Sequence, residues 1–130
     1  MLPVLVALRA ARPGQLVYIE QPEIHLHPKA QEALAAVLAS AAKRGVRVVV
    51  ETHSALLLRA VQTLVAKDEL DRDLVICHWF KRGENGATTI TGTDLDEAGA
   101  FEKDWPEDFG STELDAARRY LNAAEPRTGK

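Results

Sequence analysis

Two short runs rich in β-branched and aromatic residues, 16–19 (LVYI) and 46–50 (VRVVV), each close on an acid, Glu20 and Glu51. Between them Pro28 stands at a suitable first helical position. Leu34, Val37, Leu38 and Ala41 recur at helical spacing opposite Glu32, Ser40, Lys43 and Arg44, and Gly45 ends the segment. Strand, helix and strand in so short a span predict a βαβ unit. Such a crossover makes the strands parallel and right-handed, and opens both strand ends on one edge of the sheet. The residues just beyond each strand therefore become neighbours. Run-like hydrophobicity of this kind predicts strands buried on both faces.

The flanking segments read in the same way. Residues 2–11 are apolar, but at about ten residues they are too short to cross a bilayer. No cationic segment precedes them, as a secretory signal would require, and they are expected to form a buried helix. Ser54 can cap a third helix with Leu57, Ala60, Val61 and Leu64 inside, and 67–73 is a charged connection. Residues 74–80 predict a third strand, 81–86 a tight reversal, and 87–91 its antiparallel return, a hairpin expected to extend the sheet. Trp105, Pro106 and Phe109 follow in an acidic stretch. Ser111 then caps a helix bearing Leu114, Ala117 and Leu121, and 125–130 reads as a disordered tail.

Composition narrows the partners. With 130 residues, 46% of them hydrophobic, the chain can bury a core and is expected to form one domain. A net charge of −3 carries no global basic field, and Lys43, Arg44 and Arg47 suit a helix end, so nucleic acid is not indicated. The one cysteine, Cys77, excludes an intramolecular disulfide and fits a reducing cytosol, so the expected location is cytoplasmic. Cys77 and His78 alternate across a strand and cannot chelate one ion together.

In open α/β sheets ligands sit at the carboxyl ends of the parallel strands. Here those ends carry Glu20, Gln21, Pro22 and Glu23 on one side and Glu51, Thr52, His53 and Ser54 on the other. Phosphoryl transfer to water needs a divalent cation, a positioned water and donors for the outer oxygens. Glu20 can hold the cation and His53 can donate to a terminal phosphate. Spacing alone is equally compatible with Glu20 merely closing a strand and His53 merely opening a helix.

The segment Leu16-Val17-Tyr18-Ile19-Glu20-Gln21-Pro22-Glu23-Ile24-His25-Leu26-His27-Pro28 resembles the Walker B strand and D-loop of the ABC/SMC-like AAA ATPases related to the overcoming-lysogenisation-defect nucleases. Glu51-Thr52-His53-Ser54 resembles their switch-histidine loop. The resemblance implies an α/β fold of partial P-loop NTPase type, an ABC-type head with a parallel βαβ core and a C-terminal hairpin and helix. It implies ATP and Mg2+ as cofactors, with Glu20 as the metal-supporting acid and His53 as the sensor of the terminal phosphate. Gln21 matches the catalytic base, usually glutamate in relatives. Glutamine cannot accept a proton at neutral pH and can only orient water, unless Glu23 substitutes. His25 and His27 fall in the D-loop, which in these ATPases reaches the nucleotide of a second subunit, so Glu23 and His27 join Glu20 and His53 as nucleotide-binding candidates. The implied division is 1–92 as ATPase core, 93–124 as a family-type extension and 125–130 as tail. Relatives are associated with DNA transactions and phage defence.

A phosphate-binding loop needs glycines followed by lysine and a hydroxyl residue. No such segment occurs; Gly129-Lys130 has neither strand before it nor helix after it. The expectation is therefore the C-terminal portion of an ATPase, inactive alone and completed by an N-terminal portion or a second ATPase head. Without that cover, one edge and one apolar face of the strands would lie open. A non-catalytic interaction module is the alternative, and a small metal-dependent hydrolase built on Glu20, His25, His27 and His53 the remote one; His25 and His27 with Glu23 and His53 are also residue types that ligate zinc.

Overall fold

The computed structural model describes residues 2–102, 119–120 and 122–124. Its elements are α1 (Leu2–Ala10), β1 (Leu16–Glu20), α2 (Pro28–Lys43), β2 (Arg47–Glu51), α3 (Ala55–Ala66), a 3-10 turn (Arg72–Leu74), β3 (Ile76–Arg82) and β4 (Thr88–Asp94). The segment around Trp105 and Phe109, most of the helix capped by Ser111, and the tail 125–130 lie outside the described residues; 119–120 and 122–124 are helical.

The expected βαβ unit is present. β1 and β2 pair in parallel, in register from Leu16 opposite Arg47 to Glu20 opposite Glu51. Pro28 opens α2, where its missing N–H costs no helical hydrogen bond. At the other end Gly45 takes a φ of 89°, a left-handed value that lets the chain leave the helix and enter β2. Ser54 caps α3 by accepting from Leu57 N–H at 3.0 Å.

The core lies on one side of this small sheet. Leu8 of α1, Leu34, Ala35, Leu38 and Ala41 of α2, and Leu57 of α3 close over Ile19 and Val46. α1 differs from the expected buried helix: Leu8 is 1% exposed and Val6 57%, because one stripe only meets α2 and β1. Arg44, just past α2, donates a guanidinium hydrogen bond to the Leu8 carbonyl and joins the ends of α1 and α2.

The strands also depart from expectation. Val17, Ile19, Val48 and Val50 face the helices, whereas Leu16, Tyr18 and Val49 are exposed, so each strand is covered on one face. All three helices contribute to the one core cluster, and among the described residues nothing packs on the opposite face. That apolar face is open, and neither edge of the pair carries a third strand among the described residues.

The hairpin does not extend the sheet as expected. β3 and β4 form a separate antiparallel pair, from Ile76 opposite Asp94 to Arg82 opposite Thr88. A second cluster decides this. Leu70 and Leu95, which flank the hairpin, pack with Ala39 of α2 and Val65 of α3, so its base is held by the helices and not beside β2. β3 begins two residues later than the sequence suggests, since Asp71 caps the 3-10 turn that takes up Leu74.

Cys77 and His78 point to opposite sides of β3, half-buried and exposed respectively. Burial, with the nearby Asp94 carboxylate, pushes the Cys77 thiol up to about 11. At pH 8 its thiolate population is then about a hundredfold below that of an ordinary thiol. Alkylation by iodoacetamide is expected to be slower by a similar factor in the native chain than in the denatured one. Equal rates in both would show that the hairpin does not cover Cys77.

Candidate functional site

The in-register pairing sets Glu20 beside Glu51, about 4.8 Å from strand to strand, and brings the loops 21–27 and 52–54 to one edge. The backbone at this edge is tightly drawn. Gln21 N–H donates to the Glu51 carbonyl at 2.7 Å, carrying the ladder one step beyond β1. Gln21 then turns the chain with φ 44°, and His25 turns it again with φ 70°. Both are left-handed values that non-glycine residues hold only where surrounding contacts enforce them, and such residues cluster at functional loops. Here the contacts are Ile24 N–H to the Gln21 carbonyl and Leu26 N–H to the Glu23 carbonyl, with Leu26 packed against the core.

Side chains then cross-link the two loops. Glu23 Oε1 accepts from His53 N–H at 2.9 Å. Gln31 of α2 accepts from Ser54 Oγ at 2.6 Å and donates to the Leu26 carbonyl at 3.3 Å. Thr52 Oγ1 accepts from Ser54 N–H at 3.0 Å. The second carboxylate oxygen of Glu23 is buried and has no partner among the described residues.

The sequence candidates divide accordingly. Glu20 and His53 are exposed at the shared edge, with Gln21 half-buried between the strand and the turn. Glu23 joins the loops, and its contact to His53 occupies one oxygen of the residue that might have replaced the catalytic base. His27 caps α2, its Nδ1 accepting from Lys29 N–H at 3.4 Å, a long contact that leaves the imidazole exposed. Glu20, Glu23, His25, His27 and His53 do not converge as zinc would require. Among the described residues no group of three or more His, Cys, Asp or Glu side chains is placed to hold a metal ion.

Sequence reasoning missed Tyr18. Its hydroxyl donates to Glu51 Oε2 at 2.5 Å on the open face of the sheet. That hydrogen bond, then desolvation and the charges of Glu51 and Glu20, hold the phenol above its usual range. The signal was available in the period-two placement of Tyr18 and Glu20, once the register with β2 is known. A shallow concavity of about 370 Å³, lined by Ala7, Ala10, Ala11, Gln15, Leu16 and Val17, lies at the start of β1, away from Glu20.

Comparison with known families agrees with this geometry. Residues 1–59 match the family described as "AAA domain, putative AbiEii toxin, Type IV TA system". The matched stretch runs from α1 through the first turn of α3 and takes in loops 21–27 and 52–54. The match supports an AAA, ATPase-like, nucleotide-binding character for this part of the chain. No curated protein and no solved structure matches the sequence. No helix among the described residues is long and apolar enough to cross a membrane.

Proposed function

We propose that the chain supplies the Walker B and switch-histidine portion of an ABC/SMC-like ATPase site. The carrying observation is the register that sets Glu20 beside Glu51 and so opens loops 21–27 and 52–54 on one edge. The glycine-rich phosphate loop, which is not among these 130 residues, comes in this reading from another segment or a second ATPase head.

The residues present suit Mg2+ with ATP. Magnesium keeps several waters and is commonly held by one or two carboxylates plus phosphate oxygens, so a single exposed Glu20 is a sufficient protein contribution. Bound there, the cation neutralises charge on the phosphates. His53 offers an exposed imidazole to the terminal phosphate, and Gln21 orients water without accepting its proton. Glu51 is engaged by Tyr18, which leaves Glu20 as the carboxylate free for the cation.

Calorimetry with Mg2+ and ATP tests the reading, first on this chain and then on its mixture with a polypeptide that carries the phosphate loop. Binding and turnover in the mixture alone are expected. Glu20→Gln and His53→Ala should each lower turnover on the order of a hundredfold or more with an unchanged circular dichroism spectrum. Unaltered turnover in both variants would remove the site. A non-catalytic interaction module is favoured by one observation, glutamine at position 21. Absence of nucleotide binding in both the well-folded chain and the mixture would establish it.

A further inference from the structure

We infer that Glu23 is the positioning residue for His53, holding the 52–54 loop so that the imidazole faces the nucleotide edge; this rests on the ATPase reading above. Its Oε1 accepts from the His53 backbone N–H at 2.9 Å, a contact between residues thirty positions apart that spans the two strand-end loops. A hydrogen bond to a carboxylate is among the stronger ones, and this one fixes the backbone of the residue whose side chain is exposed at the edge. His53 precedes the cap Ser54, so loop 52–54 is pinned on one side by the start of α3 and on the other by Glu23.

Glu23 reaches His53 because of the unusual turn before it. Gln21, at φ 44°, reverses the chain directly after β1 and brings the Glu23 side chain back over β2. The other Glu23 oxygen is buried and accepts no hydrogen bond among the described residues, so the bond from His53 N–H is the contact that holds this carboxylate. A positioning role also explains why Glu23 does not stand in for the base that Gln21 lacks: one of its carboxylate oxygens is held on the His53 N–H.

Residue-resolved amide hydrogen exchange on the full 130-residue chain tests the inference, with NMR as the readout. His53 N–H is expected to exchange about tenfold faster in Glu23→Ala than in the wild type, as a charge-assisted hydrogen bond is lost. Glu23→Gln keeps an oxygen that can accept, and should retain most of the protection. Unchanged exchange at His53 in Glu23→Ala overturns the inference. In the assembled ATPase, Glu23→Ala should lower kcat about tenfold with little change in KM for ATP, and Glu23→Gln should restore most of it. Equal loss in both variants would make the charge itself the requirement and would also overturn a positioning role. If the wild-type assembly fails to turn over ATP, the proposed function fails. Exchange at His53 then still decides whether Glu23 holds the loop.

Discussion

Leu34→Ala is expected to lower the unfolding free energy by about 2–5 kcal/mol, the range for removing a buried leucine. Leu34 is 0% exposed and lies with Leu38 on the face of α2 that meets Leu8, Ile19 and Leu57, so its removal leaves a void bounded by three helices and the sheet. α2 cannot settle freely into that void. Its start is tied to the loops by Gln31 and its end to α1 by Arg44. Since domains of this size keep only about 5–15 kcal/mol in all, the substitution should remove a large share of the stability. Urea unfolding followed by circular dichroism gives the value. A loss below about 1 kcal/mol would mean that the first cluster does not organise the fold.

Gly99→Ala is expected to cost about 2–5 kcal/mol, the sum of a left-handed penalty and an overpacking penalty. Gly99 has φ 79°, and a Cβ placed on it would lie 2.3 Å from the Gln62 carbonyl oxygen of α3. The obstacle is helix backbone and cannot swing aside. The same loop is held by Gln62 Nε2 donating to the Gly99 carbonyl at 3.0 Å and by Asp96 Oδ1 accepting from Ala98 and Ala100 N–H. Displacing Gly99 therefore loosens Leu95 and Phe101 from the second cluster, and with them the base of the hairpin. Gly86→Ala separates the two penalties. Gly86 has φ 80° with nothing within 4 Å of an added Cβ, so it should lose only the left-handed share, about 1–2 kcal/mol. Equal losses in the two variants would show that loop 96–100 does not press on α3. Hydrogen exchange in loop 96–100, at the Asp96 and Gly99 amides, should rise in Gly99→Ala alone.

Much of the local structure was legible because it follows from near-neighbour chemistry. Pro28 and Gly45 bound α2, Ser54 caps α3, and the β-branched runs give β1 and β2 within a residue of their expected ends. Glu20 and His53 were legible as candidates because a βαβ crossover has essentially one hand and brings both strand ends to one edge. The contact from Glu23 to His53 was not. It depends on left-handed backbone at Gln21, a residue with no intrinsic preference for that turn, and on a loop-to-loop distance that only folding sets.

The misplaced hairpin has a similar cause. The turn chemistry of 81–86 told that 74–80 and 87–91 would pair, which the structure shows as 76–82 with 88–94, but which surface they pair beside depends on where Leu70 and Leu95 find cover, a long-range matter. Likewise, valine-rich runs announce strands without saying whether both faces will be covered, since β propensity and burial are separate quantities. Sequence alone thus determined the elements, their parallel order and the acids and histidine at the strand ends. Tertiary structure alone decided which face of the sheet the helices cover, that the hairpin stands apart, and that Glu23 is turned toward His53. The division arises because helix and strand formation is governed by residues a few positions apart, whereas cover, sheet membership and side-chain partners are set by packing between segments thirty or more positions apart.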